Sequence, residues 1–155
     1  MKYAVAVLMA GAGLSACTTA DVKLSHPITF DHMVMTAAPK GEVVAAYAAL
    51  TNNGPDDVLT GISCTCAGRG ELHRVIQQDG KTDMANGFPL PVPSGSRVEI
   101  KPPGVPLHFM LLETNRAFVA GEKVSMTLHF AKAGPVDTVF QVSETSAKGW
   151  ADWRP

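Results

Sequence analysis

From residue 28 onward the chain alternates apolar and polar positions in short runs rich in Val, Ile, Thr and Phe. Period-two alternation broken by turn clusters predicts strands. The runs fall at Ile28–Thr36, Val43–Thr51, Val58–Thr65, Glu71–Gln77, Thr82–Ala85, Arg97–Lys101, Leu107–Glu113, Lys123–Phe130 and Thr138–Glu144. Between them stand Asn52-Asn53-Gly54-Pro55, Asp79-Gly80, Ser94-Gly95, Pro102-Pro103-Gly104, Ala120-Gly121 and Gly134-Pro135. Asp79-Gly80 suits a two-residue type I′ hairpin. Six of the eleven prolines lie between Pro89 and Pro106, which predicts mostly loop there with one short edge strand, because proline cannot donate to a central ladder. The Ala-rich stretch Val43–Leu50 also tolerates helix. Many short strands at this spacing predict an all-β, Greek-key sandwich or barrel. The tail Gly149–Pro155 holds both tryptophans without a clear period, and is expected to pack onto the sandwich or to form a sticky end.

The first residues depart from this pattern. Lys2 precedes an apolar, small-residue stretch, Tyr3 to Ala16, with the layout of a secretory signal peptide. It ends in Leu14-Ser15-Ala16-Cys17, which resembles a bacterial lipobox, in which the Cys is lipidated and becomes the mature N-terminus. The expected organisation is a lipoprotein signal peptide at 1–16, a lipidated N-terminus and linker at 17–27, one domain at 28–146 and a tail at 147–155. Anchoring through more than one acyl chain is stable where a single chain is not. Fully extended, Thr18 to Pro27 reaches at most about 35 Å, so the domain stays near the membrane surface. Thr18 follows the Cys where many inner-membrane lipoproteins carry Asp, which leans towards the outer membrane of the cell envelope.

Composition narrows the function. With 46% apolar and 17% charged residues in 155, the chain has globular composition at single-domain length. Thirteen basic against fourteen acidic residues leave a net charge of −1, which gives no reason to expect a nucleic-acid surface or a polybasic membrane patch. No apolar run reaches the ~18 residues of a transmembrane helix. There is no GxSxG, no HExxH, no Gly-rich phosphate loop and no triad spacing, so an enzyme is not expected.

The candidate chemistry is a set of histidines and methionines. In the run Leu107–Glu113, alternation turns Leu107, Phe109 and Leu111 towards one face and His108 and Met110 towards the other. Upstream, His73 leads into the Asp79-Gly80 turn, and Met84 follows in the returning strand after ten intervening residues. The hairpin can bring Met84 back beside His73, so that two imidazoles and two thioethers converge at one end of the sandwich. Neutral, soft thioethers with borderline imidazoles favour Cu(I), whereas Zn(II) more often recruits thiolate or carboxylate. The ion keeps its +1 charge in such a set, which is costly in a core, so a shallow site is expected. Singly, each of these residues reads as ordinary packing; the spacing of all four is what is specific.

That spacing resembles the PCu(A)C-type periplasmic copper chaperone family: His, ten residues, Met, about twenty-one residues, then His-x-Met. Here it stands as His73, Met84, His108 and Met110. Ala46-Tyr47 with Asn52, Asp57-Val58-Leu59, Glu71-Leu72-His73, Pro93-Ser94-Gly95, Lys101-Pro102 and Val124–Phe130 leading to Ala133-Gly134 match as well. The likeness runs from about Pro27 to Glu144. It implies a cupredoxin-like β fold, Cu(I) held by those four side chains, and delivery of copper to recipients such as cytochrome c oxidase subunit II, with its dinuclear copper centre, or a Sco-type thiol protein. Three departures stand out. The gap from Met84 to His108 holds 23 residues, Pro102-Pro103-Gly104-Val105-Pro106 replaces a Gly-rich turn, and His32-Met33-Val34-Met35 stands near the first strand where many members carry an aromatic and an Arg.

Other candidates carry less. His32 and His129 fall by parity on a packed face and a solvent face respectively, and His26 lies in the linker. Glu71 shares the face of His73 and is placed either to hydrogen-bond that imidazole or to stand as a solvated charge. Cys64 and Cys66, on one face of a predicted strand, read as an accessory Cu(I) or redox pair close to the main site, or as an incidental pair. A blue-copper carrier needs a Cys near its last ligands, and none follows Cys66. The competing function is an envelope lipoprotein whose sandwich serves as an interaction module without metal.

Overall fold

The structure is a computed structural model that describes residues 27–103 and 106–155. The predicted signal segment, the lipidation site Cys17 and His26 lie outside the described residues. Ten strands follow in order: β1 Ile28–Thr36, β2 Val44–Asn52, β3 Asp57–Ser63, β4 Ala67–Gln78, β5 Lys81–Asn86, β6 Leu90–Val92, β7 Arg97–Ile100, β8 Leu107–Thr114, β9 Lys123–Phe130 and β10 Gly134–Ser143. One helix, α1 Ser146–Asp152, closes the chain. The strands run in the order β5-β4-β8-β2-β1-β10-β9-β3-β6, with β7 on β2. Between β1 and β10 the pairing is parallel, and every other ladder is antiparallel. This is the all-β class expected from the alternation.

The core is one apolar cluster. Leu50, Leu59, Leu72, Ile100, Phe109, Leu111, Leu128 and Phe140 are each 0% exposed. The ambiguous stretch Val43–Leu50 is a strand because β2 lies mid-sheet, bonded to β1, β7 and β8. A central strand covered on both faces reads as a continuous apolar run. The proline-rich region holds two short strands where one was expected. Leu90 and Val92 of β6 are buried, and Pro91 faces outward on the last strand of the order, where proline is tolerated. Asn52 explains how this edge is held. Fully buried, it donates from Nδ2 to the carbonyls of Pro55 and Val92 at 2.8 Å each and accepts from the Gly54 N–H at 2.9 Å.

Two further differences follow from local geometry. His32 sits at φ 51° within a β-bulge between Asp31 and Val34, and the extra residue breaks the parity that placed it on a packed face. The tail holds α1, capped by Thr145 Oγ1, which accepts from the Lys148 N–H at 3.3 Å. Seven residues are too few for a 3.6-residue period to show in the sequence. Its tryptophans do pack: the His32 ring lies 4.7 Å from Trp150 and 5.1 Å from Trp153, centroid to centroid.

Candidate metal centre

Three adjacent strands, β5, β4 and β8, build the site. The β4–β5 hairpin turns at Asp79 (φ 53°) and Gly80 (φ 72°), two positive φ values in succession as a type I′ turn requires. That turn sets the register: His73 stands opposite Asn86, and Val75 opposite Met84. On the other side of β4, His73 stands opposite His108 and Glu71 opposite Met110. Cross-strand partners share a face, as do alternate residues of one strand. His73, Met84, His108 and Met110 therefore lie on one face, with the histidines in the middle row and the methionines on its two diagonals. The His73 and His108 rings meet edge to face with centroids 5.6 Å apart. Leu107, Phe109 and Leu111 turn the other way into the core.

Exposure is graded across the site. Met84 is 56% exposed and His108 only 7%. The expected shallowness describes the Met84 side, not the His108 side. His73 and Met84 line a pocket of about 450 Å³ together with Glu71, Asn86 and Phe88. A second backbone tie, from the Gly87 N–H to the Leu72 carbonyl at 2.7 Å, holds the start of the next loop against β4 beneath it.

His73 itself is the most informative residue. Its Nε2 lies 2.7 Å from Glu71 Oε2. Among the described residues, its Nδ1 is the one buried side-chain nitrogen or oxygen with no hydrogen-bond partner. Burying such an atom unsatisfied costs about 1–3 kcal/mol. A buried nitrogen without a partner, on a ring 5.6 Å from a second imidazole and on a strand face shared with two methionines, fits a soft monovalent ion.

A charge chain surrounds Glu71. Its Oε1 lies 3.1 Å from Arg69 Nη1, and Arg69 Nε lies 3.2 Å from Glu113 Oε1. Sequence reasoning reached Glu71 but missed Arg69 and Glu113. Arg69, Glu71 and His73 share strand parity, so Arg69 was within reach of the pattern. Glu113 was not: its φ of 57° breaks the alternation of β8, and only the folded chain shows it.

The cysteines sit elsewhere than the strand face expected for them. Cys64 and Cys66 are joined as a disulfide in the turn between β3 and β4, not on a strand face. β4 begins at Ala67, and at 3.3 Å per residue His73 stands about 20 Å along it. The pair is too distant to add donors to the His and Met site, and a disulfide offers no thiolate. His129 behaves as its parity predicts, with Nε2 2.7 Å from Ser63 Oγ at the surface. His32 is engaged by Asp31, Trp150 and Trp153, three strands away from β4.

Comparison with known proteins agrees with this architecture. A curated relative from Leifsonia xyli subsp. xyli, "Putative lipoprotein Lxx21020", is 27% identical over 108 residues. That match covers 67% of this chain and 63% of the relative, so the chain spans less than two thirds of the relative's length. Among solved structures, the copper-bound PCuAC domain from PmoF2 is 25% identical, with a TM-score of 0.60 over 77% of this chain and 94% of that domain. The Cu(I) form of DR1885 from Deinococcus radiodurans shares the fold, at 23% identity and a TM-score of 0.59 over 79% of this chain and 83% of that one. The family described as "Putative lipoprotein LpqE-like" matches residues 28–142, from the first strand into the last. The chain accordingly belongs to the LpqE-like family, and its fold is that of the PCuAC-type copper domains.

Proposed function

We propose that the protein is a non-catalytic Cu(I) chaperone of the bacterial cell envelope, which binds one Cu(I) through His73, Met84, His108 and Met110 and passes it to other proteins. The observation that carries this reading is the buried, unpartnered Nδ1 of His73, set 5.6 Å between ring centroids from His108 on the face that also bears both methionines. The copper carried by structural neighbours of the same fold supports it. Copper here is cargo. A graded site suits transfer: the deeply set His108 retains the ion, while the exposed Met84 is the donor a recipient can displace first. Recipients of matching chemistry are the dinuclear copper centre of cytochrome c oxidase subunit II and Sco-type thiol proteins. Lipidation at Cys17 would hold the domain at the periplasmic face of a membrane, with the outer membrane favoured by Thr18.

Replacing both Met84 and Met110 with Leu removes the sulfur donors at nearly constant volume. Cu(I) affinity, measured anaerobically against a chromophoric chelator, is expected to fall by about 100-fold or more on losing two of four donors, while the apo thermal midpoint barely moves. Unchanged affinity would overturn the assignment. Complete absence of Cu(I) binding by the wild type would favour the interaction-module reading instead.

A further inference from the structure

The unpartnered Nδ1 of His73 and the bonded Nε2 of the same ring are two halves of one arrangement. A carboxylate only accepts hydrogen bonds, so a neutral His73 bonded through Nε2 to Glu71 must carry its proton on Nε2. The lone pair then lies on Nδ1, the buried atom with no partner. Glu71 is not free to serve as a ligand itself. Its Oε2 is taken by His73 and its Oε1 by Arg69, although it stands directly opposite Met110 on the site's face. Arg69 is in turn held by Glu113, a non-glycine residue in the left-handed region, where backbone strain persists only if its surroundings enforce it.

We propose that Glu71, steered by Arg69 and Glu113, is a positioning residue that locks His73 as the Nε2–H tautomer and presents Nδ1 as its copper-binding atom. This rests on the Cu(I) reading above. Hydrogen bonding to a carboxylate fixes the ring and raises the basicity of the open nitrogen, and removing such a partner typically costs 10- to 100-fold in metal affinity. It also prepays the ordering of the imidazole, so copper meets a ligand already aimed.

The test is nitrogen NMR of the full domain labelled at histidine. In the apo protein, His73 is expected to show a protonated Nε2 and a bare Nδ1. Anaerobic Cu(I) should move the Nδ1 resonance and leave the Nε2–H in place; metallation at Nε2 overturns the proposal. Glu71→Gln keeps an acceptor oxygen at similar reach and should preserve the tautomer, with affinity within about threefold. Glu71→Leu should give mixed tautomers and an affinity about 10- to 100-fold lower at an unchanged apo thermal midpoint. Arg69→Met, at an exposed position, should give a smaller loss of the same kind and serves if Glu71→Leu fails to fold. Unchanged tautomer and affinity in Glu71→Leu, or in Arg69→Met where the former does not fold, overturn the positioning role. His73→Ala separates the two ideas. If it binds Cu(I) as tightly as wild type, the copper site itself is wrong; if it loses binding while Glu71→Leu does not, only the positioning role falls.

Discussion

Asp31 shows how much one carboxylate does at the surface of this sheet. Arg97 grips it in a two-pronged contact, Nη1 to Oδ2 at 2.6 Å and Nη2 to Oδ1 at 2.7 Å, joining the β1 bulge to β7. Chiefly through that Arg97 contact, against some cost of burial and with help from His32, its pKa is lowered from 3.8 to about 2. A depressed carboxylate pKa stabilises the fold above the unfolded value, and this contribution is lost as pH falls from about 4 to about 2. Both partners remain partly solvated, so screening trims the contribution to about 1 kcal/mol. Asp31→Asn should therefore lose about 1 kcal/mol in urea unfolding at pH 5, and the gap between variant and wild type should close as pH approaches 2. Asn52 is a costlier position. Asn52→Leu keeps the volume but leaves the Pro55 and Val92 carbonyls and the Gly54 N–H without their partner. A loss of about 3 kcal/mol or more is expected, read as a lower urea midpoint.

At the scale of elements, β3 and β4 approach each other without a ladder between them, and Gly70 permits it. A Cβ there would lie 2.3 Å from the Ile62 carbonyl oxygen, which is backbone and cannot swing aside. Gly70→Ala should destabilise the fold by about 1–3 kcal/mol, and should also weaken Cu(I) binding, because it shifts β4 one residue before Glu71. The turn carrying Cys64 and Cys66 lies at the far end of the same strand. Cys64→Ser/Cys66→Ser is thus expected to leave copper stoichiometry and transfer rate unchanged, and a loss of either would show that the pair reaches the site by a route other than proximity. Helix α1 matters to β1 rather than to copper. Trp150→Ala or Trp153→Ala removes one ring packed against His32 and should cost about 1–2 kcal/mol of stability with Cu(I) affinity intact.

For the whole molecule, an all-β domain with nearly balanced charge presents one face bearing a graded thioether and imidazole site. A net charge of −1 gives little long-range steering towards a partner, so the rate of copper transfer should depend only weakly on ionic strength. Under the proposed function, delivery would then rely on being held at the right surface. Cys17→Ser is expected to block both acylation and lipoprotein-type cleavage; a Ser variant that stays membrane-bound at the normal mature mass would refute anchoring at Cys17.

The period-two pattern was enough to read most strands, the core parity of Leu107, Phe109 and Leu111, and the hairpin at Asp79-Gly80, because strand faces and two-residue turns are local properties. The same locality placed His108 beside Met110 and let Met84 fold back towards His73. What the sequence could not carry was anything set by contacts between distant strands. The β1 bulge at His32 and the positive φ of Glu113 break parity with no local signal. The cysteine pair looked close to His73 because seven positions in sequence separate Cys66 from it, yet an extended strand turns the six steps from Ala67 to His73 alone into about 20 Å. Only the tertiary structure set His73 directly across from His108, buried one imidazole more deeply than the other, and left a single nitrogen of His73 open. Those features depend on the β4–β8 register and on Glu113 arriving from the neighbouring strand β8, which no linear pattern encodes.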